Sequence, residues 1–243
     1  YVAFSLTEAF NLSFVPLMIV TIPISMLIGL ALERVFIRPM LGEPVFSIVM
    51  VTIGLAVMLR GITIMIWGPH PHNLSAGIST DVIMIGSLPF YAAQLMSIAA
   101  LAICMTAAWV FLRFSRIGIA MRAVAANETA ALLVGISVQR IHAMAWALSA
   151  ALAAIAGVFF AMNFKLAPDL WFQGLKSFPA VILGGLDSIL GSAIAGVVVG
   201  IIENLSQGYV GQGMREISGF IVIIVVLMVR PYGLFGDKEI ERV

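Results

Sequence analysis

The polar stretch RFSRIGIAMRAVAANETAALLVGISVQR, residues 113–140, decides how this chain is organised. Its charged residues are four arginines and one acid: Arg113, Arg116, Arg122, Arg140 and Glu128. Apolar segments flank it at residues 92–112 and 141–163, and each is close to the ~20 apolar residues that a membrane-spanning helix needs. We therefore expect the stretch to join two spans outside the hydrocarbon core.

The composition of the whole chain is that of a membrane protein. Hydrophobic residues make up 62% of it and charged residues only 10%, whereas soluble domains carry about 25% charged residues. We predict an all-α fold, a polytopic transmembrane helical bundle in one domain over residues 1–243. The predicted spans are residues 11–32, 45–67, 92–112, 141–163, 178–205 and 214–230. Because the chain begins with Tyr1, we expect it to lack an N-terminal portion.

The distribution of Lys and Arg predicts the orientation of these spans. Nine of the 13 basic residues fall in residues 33–44, in residues 113–140 and after residue 229. The alternate loops hold only Lys165, Lys176 and Arg215. We therefore expect residues 113–140 and the C-terminus to be cytoplasmic in a multi-pass membrane protein.

One predicted segment, residues 178–205, interrupts the simple alternation of spans. A short apolar run is separated from a longer one by Gly184, Gly185, Leu186 and Asp187. Irregular backbone at membrane depth is tolerated only inside protein or against a water-filled path. The segment is therefore predicted to be a broken, re-entrant helical hairpin beside a translocation path. An ordinary hairpin with a shallow turn remains the alternative.

Isolated polar residues near or within the spans are further candidates for this path. Arg60 lies about 10 Å from the outer end of its span, so it snorkels to the surface, forms a buried pair or is part of a polar pathway. Glu203 and Asn204 face either the external entrance or the lipid headgroups. Asp187 either caps the following helix or lines the path.

Small residues recur every four positions in two of the spans, which predicts close helix packing. They are Ser149, Ala153, Gly157 and Ala161, and then Ser192, Gly196 and Gly200.

The sequence argues against catalysis by this chain. No P-loop, HExxH, CxxC or GxSxG pattern is present. His70 and His72 are too few for a metal site and are expected to lie in a solvated loop, and the single Cys104 cannot form an intrachain disulfide. Basic residues are dispersed among loops, so no nucleic-acid partner is expected. We predict a non-enzyme that binds no metal or cofactor.

Residues 128–134 are predicted to form a two-turn helix. Asn127 suits the N-cap, Glu128 the first turn and Gly135 the residue after the C-cap. A helix this short is marginal in water, so it must dock against something. The surface that it contacts is either the lipid bilayer or a partner protein. His142, which follows at the start of the next span, is expected to be an interface residue.

Several motifs along the chain carry a family resemblance. Glu128, Ala130, Ala131 and Gly135 resemble the cytoplasmic "EAA" loop of ABC importer permeases, although Thr129 separates the acid from the alanines. The more specific motifs are ERVxxRP at residues 33–39, SRxGxAxRA at 115–123, LxGI at 133–136, KSF at 176–178, VILGG at 181–185 and RPxGLFG at 230–236. Together they resemble permeases of branched-chain amino-acid ABC importers, of the LivH-type subunit.

The resemblance implies a function, a set of partners and a location in the bacterial cytoplasmic (inner) membrane. The chain would pair with a LivM-type permease, two cytoplasmic ATPase subunits that use the ATP, and a periplasmic binding protein that delivers leucine, isoleucine or valine. Residues 113–140 would form the coupling loop that contacts an ATPase. Its expected coupling residues are Arg116, Arg122, Asn127, Glu128, Ala130, Ala131 and Gly135.

Two alternatives remain open at the sequence level. The same kind of permease could carry another small solute, such as urea or an amide. A self-contained channel or secondary transporter would instead need several intramembrane acids, and only Glu203 approaches that role.

Overall fold

A computed structural model describes residues 1–74, 77, 82–85, 88–185, 188–211, 213–230 and 233–236. The chain divides into two compact units, Tyr1–Pro168 and Asp169–Val243, which are described separately below.

The first unit consists mainly of helices. They are α1 (Val2–Phe10), α2 (Phe14–Leu32), α3 (Val45–Trp67), α4 (Ala92–Phe114), α5 (Arg116–Ala126), α6 (Glu128–Leu133) and α7 (Val138–Asn163). The second unit contains α8 (Leu170–Leu175), α9 (Ser177–Gly184), α10 (Ile189–Tyr209) and α11 (Met214–Val229).

The predicted all-α, membrane-spanning fold class is confirmed. Within the described residues, five helices are long and apolar enough to cross a membrane: Phe14–Met40, Phe46–Trp67, Ala92–Phe114, Val138–Asn163 and Ile189–Tyr209. Helix α11 has 16 residues, about 24 Å at 1.5 Å per residue. A sixth span at residues 214–230 therefore stays a prediction.

Helices α2 and α7 pack together more extensively than any other pair of described elements. The buried residues of α2 are Leu17, Thr21 and Gly29, which share one face. A Cβ atom on Gly29 would lie 2.6 Å from the Ala150 Cβ and 2.8 Å from the Trp146 carbonyl oxygen. Because Gly29 has no side chain, the two backbones approach closely and the pair forms the centre of this unit.

The small residues that were expected to pack on α7 lie on the wrong face within this chain. Ser149, Ala153 and Gly157 are exposed, and of the predicted four only Ala161 is buried. The buried face of α7 carries instead Ala147, Ala151, Val158 and Ala161. On a helix as rich in alanine as α7, spacing alone does not identify the contact face.

The segment expected to be a loop at residues 33–44 instead continues the helix to Met40. Glu33–Ile37 form a π-helical turn and Arg38–Met40 a 3₁₀ turn. The Glu33 side chain is only 1% exposed, and its carboxylate accepts hydrogen bonds from Arg38 at 3.2 and 3.3 Å. The wider π turn brings residues five apart towards the same face, so the pair stabilises this irregular end of the span.

Two further loops contain regular structure that the sequence did not predict. Within the loop expected at residues 70–91, Val82–Ile85 and Leu88–Tyr91 pair as an antiparallel hairpin, with Val82 opposite Tyr91. Such β-branched and aromatic residues favour strands. Within the loop expected at residues 164–174, Leu170 begins helix α8.

In the second unit, α9 packs against α10 and α11 around Leu183, Ala195 and Val199. Helix α9 ends at Gly184, and Gly185 has a positive φ of 97°, which glycine adopts at little cost. The structure therefore places a break in the helix between the two apolar runs of residues 178–205. Of the predicted path residues, Asp187 lies outside the described part of the chain.

Candidate functional site: the segment between the fourth and seventh helices

Helix α5 folds back tightly against the end of α4. Ser115 is its N-cap, and the Ser115 hydroxyl oxygen accepts a hydrogen bond from the Gly118 amide at 2.9 Å. A Cβ atom on Gly118 would lie 2.5 Å from both the Leu112 Cα and the Phe111 carbonyl oxygen. Only glycine fits at this reversal, so the SRxG portion of the sequence positions α5 on α4.

Helix α6 is the predicted short helix, and it ends one residue earlier than expected, at Leu133. The Asn127 Oδ1 atom caps its start by accepting from the Ala130 amide at 2.9 Å. At its end, Gly135 has a φ of +85°, and the Gly135 and Ile136 amides donate to the Leu132 and Ala131 carbonyls. This pair of bonds is the Schellman arrangement, which satisfies the terminal carbonyls of a helix.

Helix α6 is attached to α7 by apolar and polar contacts. Val124 of α5, Ala131 of α6 and Val138 of α7 form a buried cluster. Beside it, the His142 Nε2 atom lies 3.0 Å from the Glu128 Oε1 atom. This contact ties the first turn of α6 to the start of α7, and the interface position expected for His142 stays a prediction.

The outer surface of this segment is apolar at its centre. Leu132, Leu133 and Val134 are 58%, 84% and 76% exposed. Arg116 and Arg122 are also exposed, and the Arg122 guanidinium donates to the Arg113 carbonyl at 3.4 Å. The result is a protruding apolar tip, residues 132–134, carried on a capped helix with arginines on the neighbouring helix. We call this tip the 132–134 tip.

The structure gathers all seven predicted coupling residues in α5, α6 and their caps. The Ala131 side chain differs from the others because it is buried on the inner face of α6, against Val124 and Val138, whereas the others are exposed. Sequence reasoning missed the contact between Glu128 and His142, because the two residues are 14 positions apart and meet only through tertiary packing.

Within the second unit, the described path residues do not form one cluster. Gly184 ends α9 and packs against the backbone of Gly191, near the start of α10. Glu203 lies twelve residues beyond Gly191 on α10, about 18 Å along the helix at 1.5 Å per residue. Arg60 is an exposed residue of α3, in the first unit.

The glycine break is covered by a segment that follows α11. The Leu234 amide donates to the Leu183 carbonyl at 2.8 Å, and the Phe235 amide donates to the Gly184 carbonyl at 3.2 Å. A Cβ atom on Gly185 would meet the Gly236 nitrogen at 2.5 Å. The VILGG motif at residues 181–185 therefore meets residues 234–236 of the RPxGLFG motif. The break lies at one end of the 21-residue α10.

Glu203 and Asn204 have different surroundings. The Asn204 side-chain amide donates to the Gly200 carbonyl of its own helix at 2.7 Å. Glu203 is half-buried and points to α11, where a Cβ atom on Gly219 would lie 3.2 Å from the Glu203 Oε1 atom. Glu203 thus contacts a neighbouring helix, whereas Asn204 bonds within α10.

Comparison with known proteins agrees with this architecture. The family model for the permease component of branched-chain amino acid transport systems matches residues 1–230. The high-affinity branched-chain amino acid permease LivH of Escherichia coli K12 is 32% identical, over 88% of this chain and 72% of that protein. BraD of Pseudomonas aeruginosa, named in the same way, is 29% identical over the whole of this chain and 83% of its own length.

A more distant relative is named as a sugar permease. The ribose import permease RbsC of E. coli K12 is 24% identical over 77% of this chain and 59% of that protein. No solved structure matches the chain significantly. The extent of the family match and the five membrane-length helices identify a multi-pass membrane protein, and the chain belongs to the family of permease components of branched-chain amino acid transport systems.

Proposed function

We propose that this chain is a permease subunit of an ATP-driven importer that moves leucine, isoleucine and valine across the cytoplasmic membrane. Its partners would be a second, LivM-type permease, two ATPase subunits and a periplasmic binding protein. The family and the names of its relatives support the solute class. ATP hydrolysis would take place in the ATPase subunits, with the C-terminus and residues 113–140 on their side of the membrane.

The observation that carries the coupling role is the construction of α6. A six-residue helix is capped at both ends, attached to α7, and still exposes the 132–134 tip. Exposed apolar side chains of this kind mark a contact with protein or membrane, and the permease family favours a protein contact. The tip is therefore proposed to enter a cleft of an ATPase subunit, with Arg116 and Arg122 beside it.

The packing suggests how movement of α6 would reach the spans. Helix α7 has 26 residues, about 39 Å in length, and begins beneath α6. It packs against α2 at Gly29. Packed helices tend to move as rigid bodies. Closure of the ATPase dimer would displace α6, and the contacts through Val138 and His142 would carry that displacement into the pair α2–α7.

The test is leucine uptake by proteoliposomes that contain this chain, its partner subunits and trapped ATP. Gly135→Pro is expected to abolish uptake because proline cannot adopt a φ of +85°. Glu128→Arg is expected to abolish it because the substitution replaces the carboxylate that contacts His142 with a positive charge. Gly157→Ala, on the exposed face of α7, is the matched control. Normal uptake by both variants would contradict the coupling role, and uptake without ATP would indicate a self-contained transporter.

A second candidate function is the same type of ATP-driven importer with a different solute. The similarity to a ribose import permease favours it, because related chains then carry chemically different cargo. Competition separates the two candidates. Unlabelled isoleucine and valine should inhibit leucine uptake, whereas dominant inhibition by a sugar, urea or an amide would support the second candidate.

A further inference from the structure

A cavity of about 460 Å³, open on one side, lies between α4 and α7, and its wall residues Gln94, Ile98 and Ala156 are exposed. Its volume is within the range of ligand pockets, about 300–1,000 Å³. Its walls are largely aromatic and aliphatic, while three neutral polar side chains gather at one end. The residues that matter here are Gln94, Ser97, Ile98, Phe159, Phe160 and Asn163.

The aromatic wall is supported from behind. The Phe159 ring packs against Phe14 of α2 at 5.5 Å, and the Phe160 ring packs against Phe164 at 4.8 Å. Both phenylalanines therefore have partners that hold their positions, and with Ile98 they present a preformed apolar surface.

Hydrogen bonds fix the orientation of the two amide side chains. The Asn163 Nδ2 atom donates to the Phe159 carbonyl and to the Ser97 hydroxyl, both at 2.8 Å. A carbonyl can only accept, so the Oδ1 atom must point elsewhere. Likewise the Gln94 Oε1 atom accepts from the Tyr91 amide at 3.3 Å, which leaves the Nε2 atom as the outward donor. Within the described chain neither outward atom has a hydrogen-bond partner.

The two outward atoms have opposite hydrogen-bonding roles, since the amide nitrogen donates and the amide oxygen accepts. Ser97 is one helical turn from Gln94 and is bonded to Asn163, so all three lie at the same end of the cavity. Gln94 lies in the first turn of α4, where the helix dipole favours a negative group, and Asn163 is the last residue of α7, where it favours a positive group. An α-carboxylate and an α-ammonium on one carbon satisfy both preferences.

We infer that this cavity binds a zwitterionic amino acid with an apolar branched side chain. The carboxylate accepts from the Gln94 Nε2 atom, the ammonium donates to the Asn163 Oδ1 atom, and the aliphatic side chain contacts Ile98, Phe159 and Phe160. The inference rests on the proposed function, since it names where this chain contacts the transported solute. A lipid acyl chain would fit the same walls without offering either amide atom a partner, so occupation by lipid is one outcome of the test.

The experiment uses the assembled importer in lipid nanodiscs and measures binding separately from transport. Cys104, the only cysteine, is replaced by serine, and Ala156→Cys places a thiol in the cavity wall. Leucine, isoleucine and valine should slow labelling of that thiol by N-ethylmaleimide in the nucleotide-free or the ATP-bound state, whereas glutamate should not. Adding Gln94→Leu should raise the leucine concentration needed for half-protection at least about tenfold, which is the lower limit for one hydrogen bond to a charged group.

A filling variant provides a second readout. Ala156→Phe should reduce the maximal rate of leucine uptake at least tenfold, whereas Ala99→Phe, an equal change at an exposed α4 position outside the cavity, should leave it unchanged. Active uptake by the unsubstituted importer without leucine protection in either nucleotide state would overturn the inference. So would a thiol that reacts in short-chain detergent but not in lipid, regardless of leucine, because a lipid would then occupy the cavity. Absence of uptake by the unsubstituted importer would count against the proposed function instead.

Discussion

The close contact between α2 and α7 at Gly29 predicts a large response to a single methyl group. In Gly29→Ala the new Cβ atom would lie 2.6 Å from the Ala150 Cβ and 2.8 Å from the Trp146 carbonyl oxygen. Carbon atoms prefer separations of about 3.5–4.0 Å, so the helices would have to separate by about 1 Å. Overpacking of this kind costs about 1–3 kcal/mol. The better helix propensity of alanine offsets about 1 kcal/mol of that cost.

The expected net loss in the free energy of unfolding is therefore up to about 2 kcal/mol. It can be measured by titrating the protein in mixed micelles with sodium dodecyl sulfate and following tryptophan fluorescence, to which Trp146 at the contact contributes. Gly157→Ala is the matched control, because a Cβ atom on Gly157 would have no neighbour within 4 Å. It should leave stability unchanged or raise it by up to about 1 kcal/mol.

A double substitution sharpens the test. Ala150→Gly in the Gly29→Ala background removes the 2.6 Å contact but not the contact with the Trp146 carbonyl. Stability should therefore recover only in part. If Gly29→Ala unfolds at the same detergent fraction as Gly157→Ala, the close approach of α2 and α7 would be refuted.

Three further predictions concern other positions. Gly135→Asn should retain most transport while Gly135→Val loses it, because asparagine adopts a positive φ far more readily than a β-branched residue; initial rates of leucine uptake check this, and equal rates would contradict it. Glu33→Gln should destabilise the protein by about 1–3 kcal/mol in the detergent titration, since the carboxylate is 1% exposed and Arg38 loses an ionised partner. Arg38→Gln should cost the same or more, although Arg38 is 34% exposed, because it leaves the buried Glu33 carboxylate uncompensated. Gly184→Ala should prevent accumulation of folded protein in the membrane, because its Cβ would collide with the backbone of Ser192, and normal yield in size-exclusion chromatography would argue against this packing.

Local chemistry accounts for what the sequence predicted well. The cap at Asn127 and the positive φ at Gly135 depend on residues within a few positions of each other, so the short helix between them could be placed to within one residue. Apolar length alone similarly located the membrane helices, because a bilayer sets a minimum number of apolar residues.

Tertiary packing accounts for what the sequence did not predict. The π turn at Glu33 depends on burial of its carboxylate and on a partner five residues away, so charged residues before a proline looked like a loop. On α7 the small residues occur on every face, and the contact with Gly29 of α2 determines which face is buried. The amide pair Gln94 and Asn163 comes from separate helices, and no local pattern in either helix indicates the cavity between them.

The proposed contact between the 132–134 tip and an ATPase subunit can be tested by cross-linking. In a Cys104→Ser background, Leu133→Cys places a thiol at a position that is 84% exposed, and a heterobifunctional reagent can join it to a neighbouring lysine. Met65→Cys, at an 87% exposed position near the end of α3, is the control. We predict a nucleotide-dependent cross-link from the tip to the ATPase subunit and none from α3. An importer that transports leucine but gives no cross-link from the tip in any nucleotide state would contradict the coupling role of residues 113–140.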